Sequence, residues 1–228
     1  MNSGTTRLVA LLGHPVAHSL SPRMQNAAFA ALALDLAYVA FDVPPERLEA
    51  AVHGLAGLGF AGANVTAPHK LVVAGLVETN ASSVNTLVVR DGVVHGYSTD
   101  AAVLAGLTQE RPAVVGDGGS AIAFREALPH ARTFSRRGEW PPDVRGADLV
   151  VHATSVRDEV LFELEVGQTL VDLPYPETAT AAVARAVGAT VVTGFEVLVA
   201  QGAAAFELWT GVSAPVEVMR AALEARES

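Results

Sequence analysis

The segment Asn64-Val65-Thr66-Ala67-Pro68-His69-Lys70 places an amide, a hydroxyl and an ammonium group where an apolar strand gives way to a helix. An ammonium can give a proton to an alcohol oxygen, or take one back through its neutral form, while bonds change at the attached carbon. A cation is disfavoured at the positive end of a helix, so Lys70 in a first helical turn points to chemistry rather than to a surface lysine. Ser98-Thr99-Asp100 adds a carboxylate that caps a helix, partners Lys70, or does both in turn. Ser19-Leu20-Ser21-Pro22 sets two hydroxyls ahead of a helix start, where unpaired N–H groups favour a carboxylate; simple capping by Ser21 is the alternative.

A second group of residues has the pattern of a nucleotide site. Gly116-Asp117-Gly118-Gly119 follows the apolar run Ala113–Val115 and precedes a helical stretch, the setting in which backbone N–H groups meet a pyrophosphate. Twenty positions after Gly116, Ser135-Arg136-Arg137 ends the next strand, where NAD-binding chains tend to carry an acid against the ribose hydroxyl. Two arginines there point to a 2′-phosphate and hence to NADP. The alternative is a tight turn with a solvated arginine pair, and Asp117 would repel a neighbouring pyrophosphate.

Alternating elements must hold these groups in place. Leu8–Leu12 reads as a buried strand, Pro22–Ala33 as a helix with Ser21 as N-cap, Tyr38–Val43 as a strand, and Pro45–Leu58 as a helix from Leu48, Val52 and Leu55. Pro68-His69-Lys70 opens another helix, and Asp91-Gly92 joins Ser83–Val89 to Val93–Gly96 as a hairpin. A second unit begins at Ala113, with a helix to about Leu128 and strands at Arg132–Ser135, Leu149–Ala153, Thr169–Asp172 and Thr190–Thr193. Strand alternating with helix implies an α/β fold with largely parallel sheets.

Half of the 228 residues are hydrophobic and 17% are charged, which excludes disorder. A net charge of −9 argues against nucleic acid and anionic membranes as partners, so an anionic ligand must be held by local groups. Without cysteine there are no disulfides and no thiolate metal sites. His14, His18 and His69 lack carboxylate spacing for a metal and read as loop histidines. The polar start Met1–Arg7 has no signal-peptide pattern, and no apolar run approaches the ~20 residues needed to span a bilayer; a cytoplasmic protein is expected.

Taken together, these motifs resemble the shikimate dehydrogenase family over nearly the whole chain. Gly13–Pro22 resembles its substrate loop, Asn64–Lys70 its Asn-Val-Thr-x-Pro-His-Lys signature, and Val84-Asn85-Thr86 its Val-Asn-Thr segment. Ser98-Thr99-Asp100, Gly116–Ala121, Ala153-Thr154-Ser155, Asp172-Leu173-Pro174-Tyr175 and Gln201–Gly211 resemble later family segments. The resemblance implies an N-terminal substrate-binding domain (1–101), a Rossmann-like NADP(H)-binding domain (102–195), and C-terminal helices (196–228) returning to the first, with substrate in the cleft between the domains. It implies that Lys70 and Asp100 perform acid–base catalysis. Ser19, Ser21 and Thr66 would bind a substrate carboxylate, and Asn85, Asp100 and Gln201 ring hydroxyls, with Tyr175 also on the substrate side. Gly116, Gly118, Gly119, Ser120, Ala121, Ser135, Arg136, Arg137, Thr154 and Gly194 would hold the cofactor.

The implied activity is NADPH-dependent, reversible reduction of 3-dehydroshikimate to shikimate by a monomer or homodimer. Departures fall mostly on the cofactor side: Ser98 for Asn, Ala101 for Gly, Asp117 for a small residue, Ser135 for Asn, and short segments after Lys70 and in the nucleotide domain. Alternatives are a quinate or other hydroxy-acid dehydrogenase of the same family, one using NAD, or a non-catalytic relative that only binds a carboxylated ligand.

Overall fold

Arg7–Gly13, apolar from Leu8 onward, forms β1, an interior strand of a five-stranded sheet. The computed structural model describes residues 3–224, so the first residues of the polar start and the last residues of the C-terminal stretch lie outside the described residues. Two compact units emerge: one is the chain up to Thr99 together with the chain from Val199 onward, and the other is Asp100–Leu198.

In the first unit, β1 is followed by α1 (Ser21–Ala31), β2 (Leu36–Asp42), a 3-10 turn at Pro45–Arg47 and α2 (Leu48–Gly57). β3 (Gly62–Val65), α3 (Lys70–Ala74), β4 (Thr86–Arg90) and β5 (Val93–Tyr97) complete it. The sheet order is β2-β1-β3-β4-β5, parallel through β3 and antiparallel beyond. The antiparallel pair turns at Asp91 and Gly92, both in the left-handed region (φ 51° and 77°), as a two-residue hairpin requires. Leu12, Val52, Leu55, Val65, Val73 and Leu87 meet in its core.

Three expectations for this unit change. Ser21 is not the N-cap of α1: Leu20 occupies that position without a side-chain cap, and Ser21 is already helical, with Pro22 in the first turn. The 45–58 stretch is a 3-10 turn followed by α2 rather than one continuous helix, because the backbone at Arg47, φ −106° and ψ −3°, departs from helical geometry. α3 spans five residues, so little macrodipole opposes Lys70 and the dipole argument for its function loses most of its weight.

The second unit opens with a 3-10 turn, Asp100–Leu104, where the sequence suggested a capped helix. It continues with β6 (Pro112–Val115), α4 (Gly119–Ala127), β7 (Arg132–Phe134), β8 (Leu149–His152), β9 (Thr169–Asp172), α5 (Ala179–Ala186) and β10 (Thr190–Val192). All pairings are parallel, in the order β10-β9-β8-β6-β7. Strand order reverses between β6 and β8, the switch point outside whose carboxyl ends ligands bind in open α/β sheets.

The crossovers from β7 to β8 and from β8 to β9 contain no helix. Side chains of these loops, Val144, Phe162 and Leu164 with Trp140 and Leu161 beside them, cover that sheet face together with α5, while α4, Leu104 and Val197 cover the other. Within the first loop the Arg145 guanidinium bonds Asp143, two residues earlier, and holds its carboxyl well below the usual carboxylate range.

α6 (Gly194–Thr210) begins in the second unit and ends in the first, followed by α7 (Val216–Glu224), which packs on α1. Phe206 stacks on Phe29 of α1, with ring centroids 5.4 Å apart. The Trp209 Nε1–H donates to the Leu87 carbonyl at 2.8 Å, and its indole occupies the space that the missing side chain of Gly62 leaves.

Candidate active site

The signature 64–70 divides into framework and reactive parts. Asn64 is buried and both of its amide hydrogens are used: Oδ1 accepts the Tyr38 hydroxyl at 2.8 Å, and Nδ2 donates to the Asn85 carbonyl at 3.0 Å and to Thr86 Oγ1, across the sheet, at 3.1 Å. It therefore ties β3 to β2 and β4. His69, also buried, donates from Nε2 to the Val43 carbonyl at 2.7 Å, which anchors the turn before α3. Lys70 follows as the first residue of α3, half-buried, with its carbonyl bonded to the Val84 N–H. The signature thus fixes the Lys70 backbone at both sides.

Thr66 lies against Gly13 at the end of β1, where any side chain on the glycine would collide with its methyl group. On the loop after β1, Ser19 Oγ accepts the Ser21 N–H at 3.3 Å, so the two serines form one turn at the start of α1. Asn85 and Gln201 come together: Asn85 Nδ2 donates to Thr99 Oγ1 at 2.9 Å and Gln201 Oε1 at 3.3 Å, and its Oδ1 accepts the Thr99 N–H at 2.7 Å. The next residue, Asp100, is buried at the start of the second unit.

In that unit Gly116 has φ +136°, a conformation that L side chains rarely adopt, and a Cβ there would lie 2.5 Å from the Ala153 carbonyl oxygen. The loops after β6 and β8 are thereby packed backbone to backbone at the switch point. Gly118 precedes α4 in an extended conformation with open space around its Cα, and α4 starts at Gly119 and Ser120 with no acid in its first turn. The first N–H groups of a helix have no partner within it, as a pyrophosphate site needs.

Asp117, which threatened that reading, stands beside Arg137, with Oδ2 3.6 Å from Nε. The pair is too exposed to stabilise the fold much, but it offsets a negative charge next to the glycine loop. Arg136 lies over the Trp140 ring at 5.7 Å from its centroid, exposed, with Ser135 half-buried beside it. Tyr175 packs against Phe195 near the start of α6, and Gly194 abuts the Leu173 and Pro174 carbonyls, which leave no room for a side chain. The glycine cradle, the helix start and the arginine fit a phosphorylated dinucleotide.

Sequence reasoning missed His152. The parallel register sets it opposite Asp172, and the two are buried with Nδ1 2.6 Å from Oδ1; Nε2 lies 2.7 Å from Thr154 Oγ1. The pairing of β8 with β9 creates this contact across 20 residues of chain, so no local spacing announces it. Among the described residues, no three His, Asp or Glu side chains converge as a metal site would require. No described helix is long and apolar enough to cross a membrane.

Comparison with known proteins agrees with this geometry. Residues 11–87 match the family model described as the shikimate dehydrogenase substrate binding domain, and residues 194–224 match the shikimate 5'-dehydrogenase C-terminal domain. A shikimate dehydrogenase (NADP(+)) of Anaeromyxobacter dehalogenans strain 2CP-C is 41% identical, over 100% of this chain and 99% of that one. The chain belongs to the shikimate dehydrogenase family. The enzyme of that name from Methanopyrus kandleri is 40% identical over 96% of this chain and 95% of its own.

Among solved structures, the Thermus thermophilus shikimate 5-dehydrogenase in complex with NADP(H) and shikimate is 31% identical. It superposes with a TM-score of 0.83 over 95% of this chain and 98% of that one. The Aquifex aeolicus shikimate dehydrogenase gives 0.88 at 28% identity, over 99% and 100%. The Anaeromyxobacter alignment spans 278 positions, of which this chain can fill at most 228, so at least 50 positions have no counterpart here.

Proposed function

We propose that this chain catalyses the NADP-dependent, reversible reduction of 3-dehydroshikimate to shikimate. The observation that carries the reading is the near-complete coverage at 41% identity by an NADP-dependent shikimate dehydrogenase, with the motif residues in mutually supporting positions. Ser19, Ser21 and Thr66 bind the substrate carboxylate with neutral donors, while Asn85 and Gln201, already bonded to each other, orient ring hydroxyls. Lys70 and Asp100 handle the proton: as the carbonyl is reduced, Lys70 donates to the oxygen that becomes the hydroxyl, and in the reverse direction it takes that proton back. The cofactor supplies the hydride when bound; Gly116, Gly118, Gly119, Ser120 and Ala121 receive its pyrophosphate, Arg136 its 2′-phosphate, and Ser135, Arg137, Thr154 and Gly194 line the same side.

We expect the enzyme to act in the cytoplasm as a monomer or homodimer. Initial rates with shikimate and quinate, each with NADP and NAD, test the reading. Shikimate with NADP should give the highest kcat/KM; a preference for quinate or for NAD would reassign the substrate or cofactor, and no turnover with any pair would refute the activity.

A further inference from the structure

β8 alternates between the two faces of its sheet: Leu149 and Val151 join the core under α4, while Val150 points to the opposite core. His152 continues the second set, edge-on to Phe162 with ring centroids 5.9 Å apart, so a polar ring is inserted at the carboxyl end of an otherwise apolar face. A buried polar group persists only where it is hydrogen-bonded, and both ring nitrogens of His152 are. Asp172 Oδ2 accepts the N–H and hydroxyl of Thr178, whose own oxygen caps α5 by accepting the Ala181 N–H. A carboxylate that takes these donors also takes the His152 Nδ1–H, and this assigns the tautomer.

In the neutral ring, Nε2 then has only a lone pair and must accept the Thr154 hydroxyl hydrogen. Thr154 Oγ1 in turn accepts the Val156 N–H at 3.1 Å. One lone pair is left, on a half-buried hydroxyl in the loop that abuts Gly116. With a neutral His152, the order Asp172, His152, Thr154 fixes the hydroxyl rotor at the edge of the glycine cradle.

We propose that His152 is a positioning residue for the dinucleotide. By taking the Thr154 hydrogen, it makes Thr154 an oriented acceptor for a hydroxyl or amide N–H of the ligand and not a donor to its phosphates. The inference rests on the reading of this unit as the cofactor site. It assigns a role to His152 through Thr154, without contact between His152 and ligand.

The test is a double-mutant cycle read by NADPH titration of the full-length protein without substrate. His152→Asn keeps an amide N–H near the place of Nδ1 for Asp172 but cannot reach Thr154; Thr154→Val removes the hydroxyl at nearly constant shape. Each should weaken NADPH about three- to tenfold, the worth of one hydrogen bond, and the double variant should be no weaker than the worse single one. The shikimate KM at saturating cofactor should not move. His152→Gln, whose amide oxygen can take the place of Nε2, should recover most of the affinity, and His152→Leu, which offers no acceptor to Thr154, replaces His152→Asn in the cycle if that variant does not fold.

Additive losses, or wild-type affinity in both His152 variants, would overturn the positioning role. Wild-type affinity in Thr154→Val would overturn Thr154 as the acceptor. Failure of the wild-type protein to bind NADPH or NADH would instead remove the cofactor reading, and the proposal with it.

Discussion

Gly116→Ala separates backbone constraint from ligand contact. At φ +136° an alanine is held in a sparsely populated region, a cost of about 1–3 kcal/mol. The new Cβ would also lie 2.5 Å from the Ala153 carbonyl oxygen and 2.9 Å from its carbon, about 1 Å inside ordinary contact. Both are backbone atoms on the neighbouring strand's loop, so relief requires the ends of β6 and β8 to part. For a protein of this size the strain alone lowers the melting temperature by about 3–10 °C. Gly118→Ala is the matched control: φ is −79° and a Cβ there meets nothing within 4 Å, so stability should hold. Its methyl group would nevertheless stand where a pyrophosphate approaches the start of α4, weakening NADPH about tenfold or more. Calorimetry with NADPH titration of both variants measures the split. Equal melting of Gly116→Ala and wild type would refute the backbone argument, and a destabilised Gly118→Ala would refute the assignment of open space.

Two further substitutions probe other parts of the account. Arg136→Ala should raise the NADP KM about tenfold to a hundredfold, the worth of a charge-assisted phosphate contact, and leave the NAD KM nearly unchanged in the same steady-state assay. Trp209→Phe removes the donor to the Leu87 carbonyl and should destabilise the protein by about 1–3 kcal/mol in denaturant unfolding, with the shikimate KM little altered.

What the sequence made legible is what local chemistry dictates. Leu8–Leu12, the hairpin at Asp91-Gly92 and the strand-turn-helix around Gly116 each carry their signal within a few residues, and the structure places them within a residue or two. Ser21 misled because Ser-Pro before an apolar run is a capping pattern, while burial of Ser21 draws it into the helix itself. The two crossovers without helices agree with a reading that places only strands there, but the cover that Trp140, Val144, Phe162 and Leu164 give the sheet was invisible, since those loops have no periodicity.

The site shows the same division. Lys70, Gly116 and Arg136 stand out by type and spacing, whereas the bonding of Asn64 to Tyr38 and Thr86, the Arg137–Asp117 pair and the His152–Asp172 contact depend on strand register and tertiary approach. Asn64 in particular stands among reactive groups in the sequence and bonds to the framework in the structure.

The measurement that bears most directly on the central claim is the rate of shikimate oxidation by NADP in wild type and in Lys70→Ala, with NADPH affinity determined on both. The account predicts turnover by the wild type and a fall in kcat of about 10²-fold or more in the variant, at unchanged NADPH affinity. A variant that keeps the wild-type kcat would contradict the role of Lys70, and an inactive wild type that still binds NADPH would contradict the assignment of the reaction.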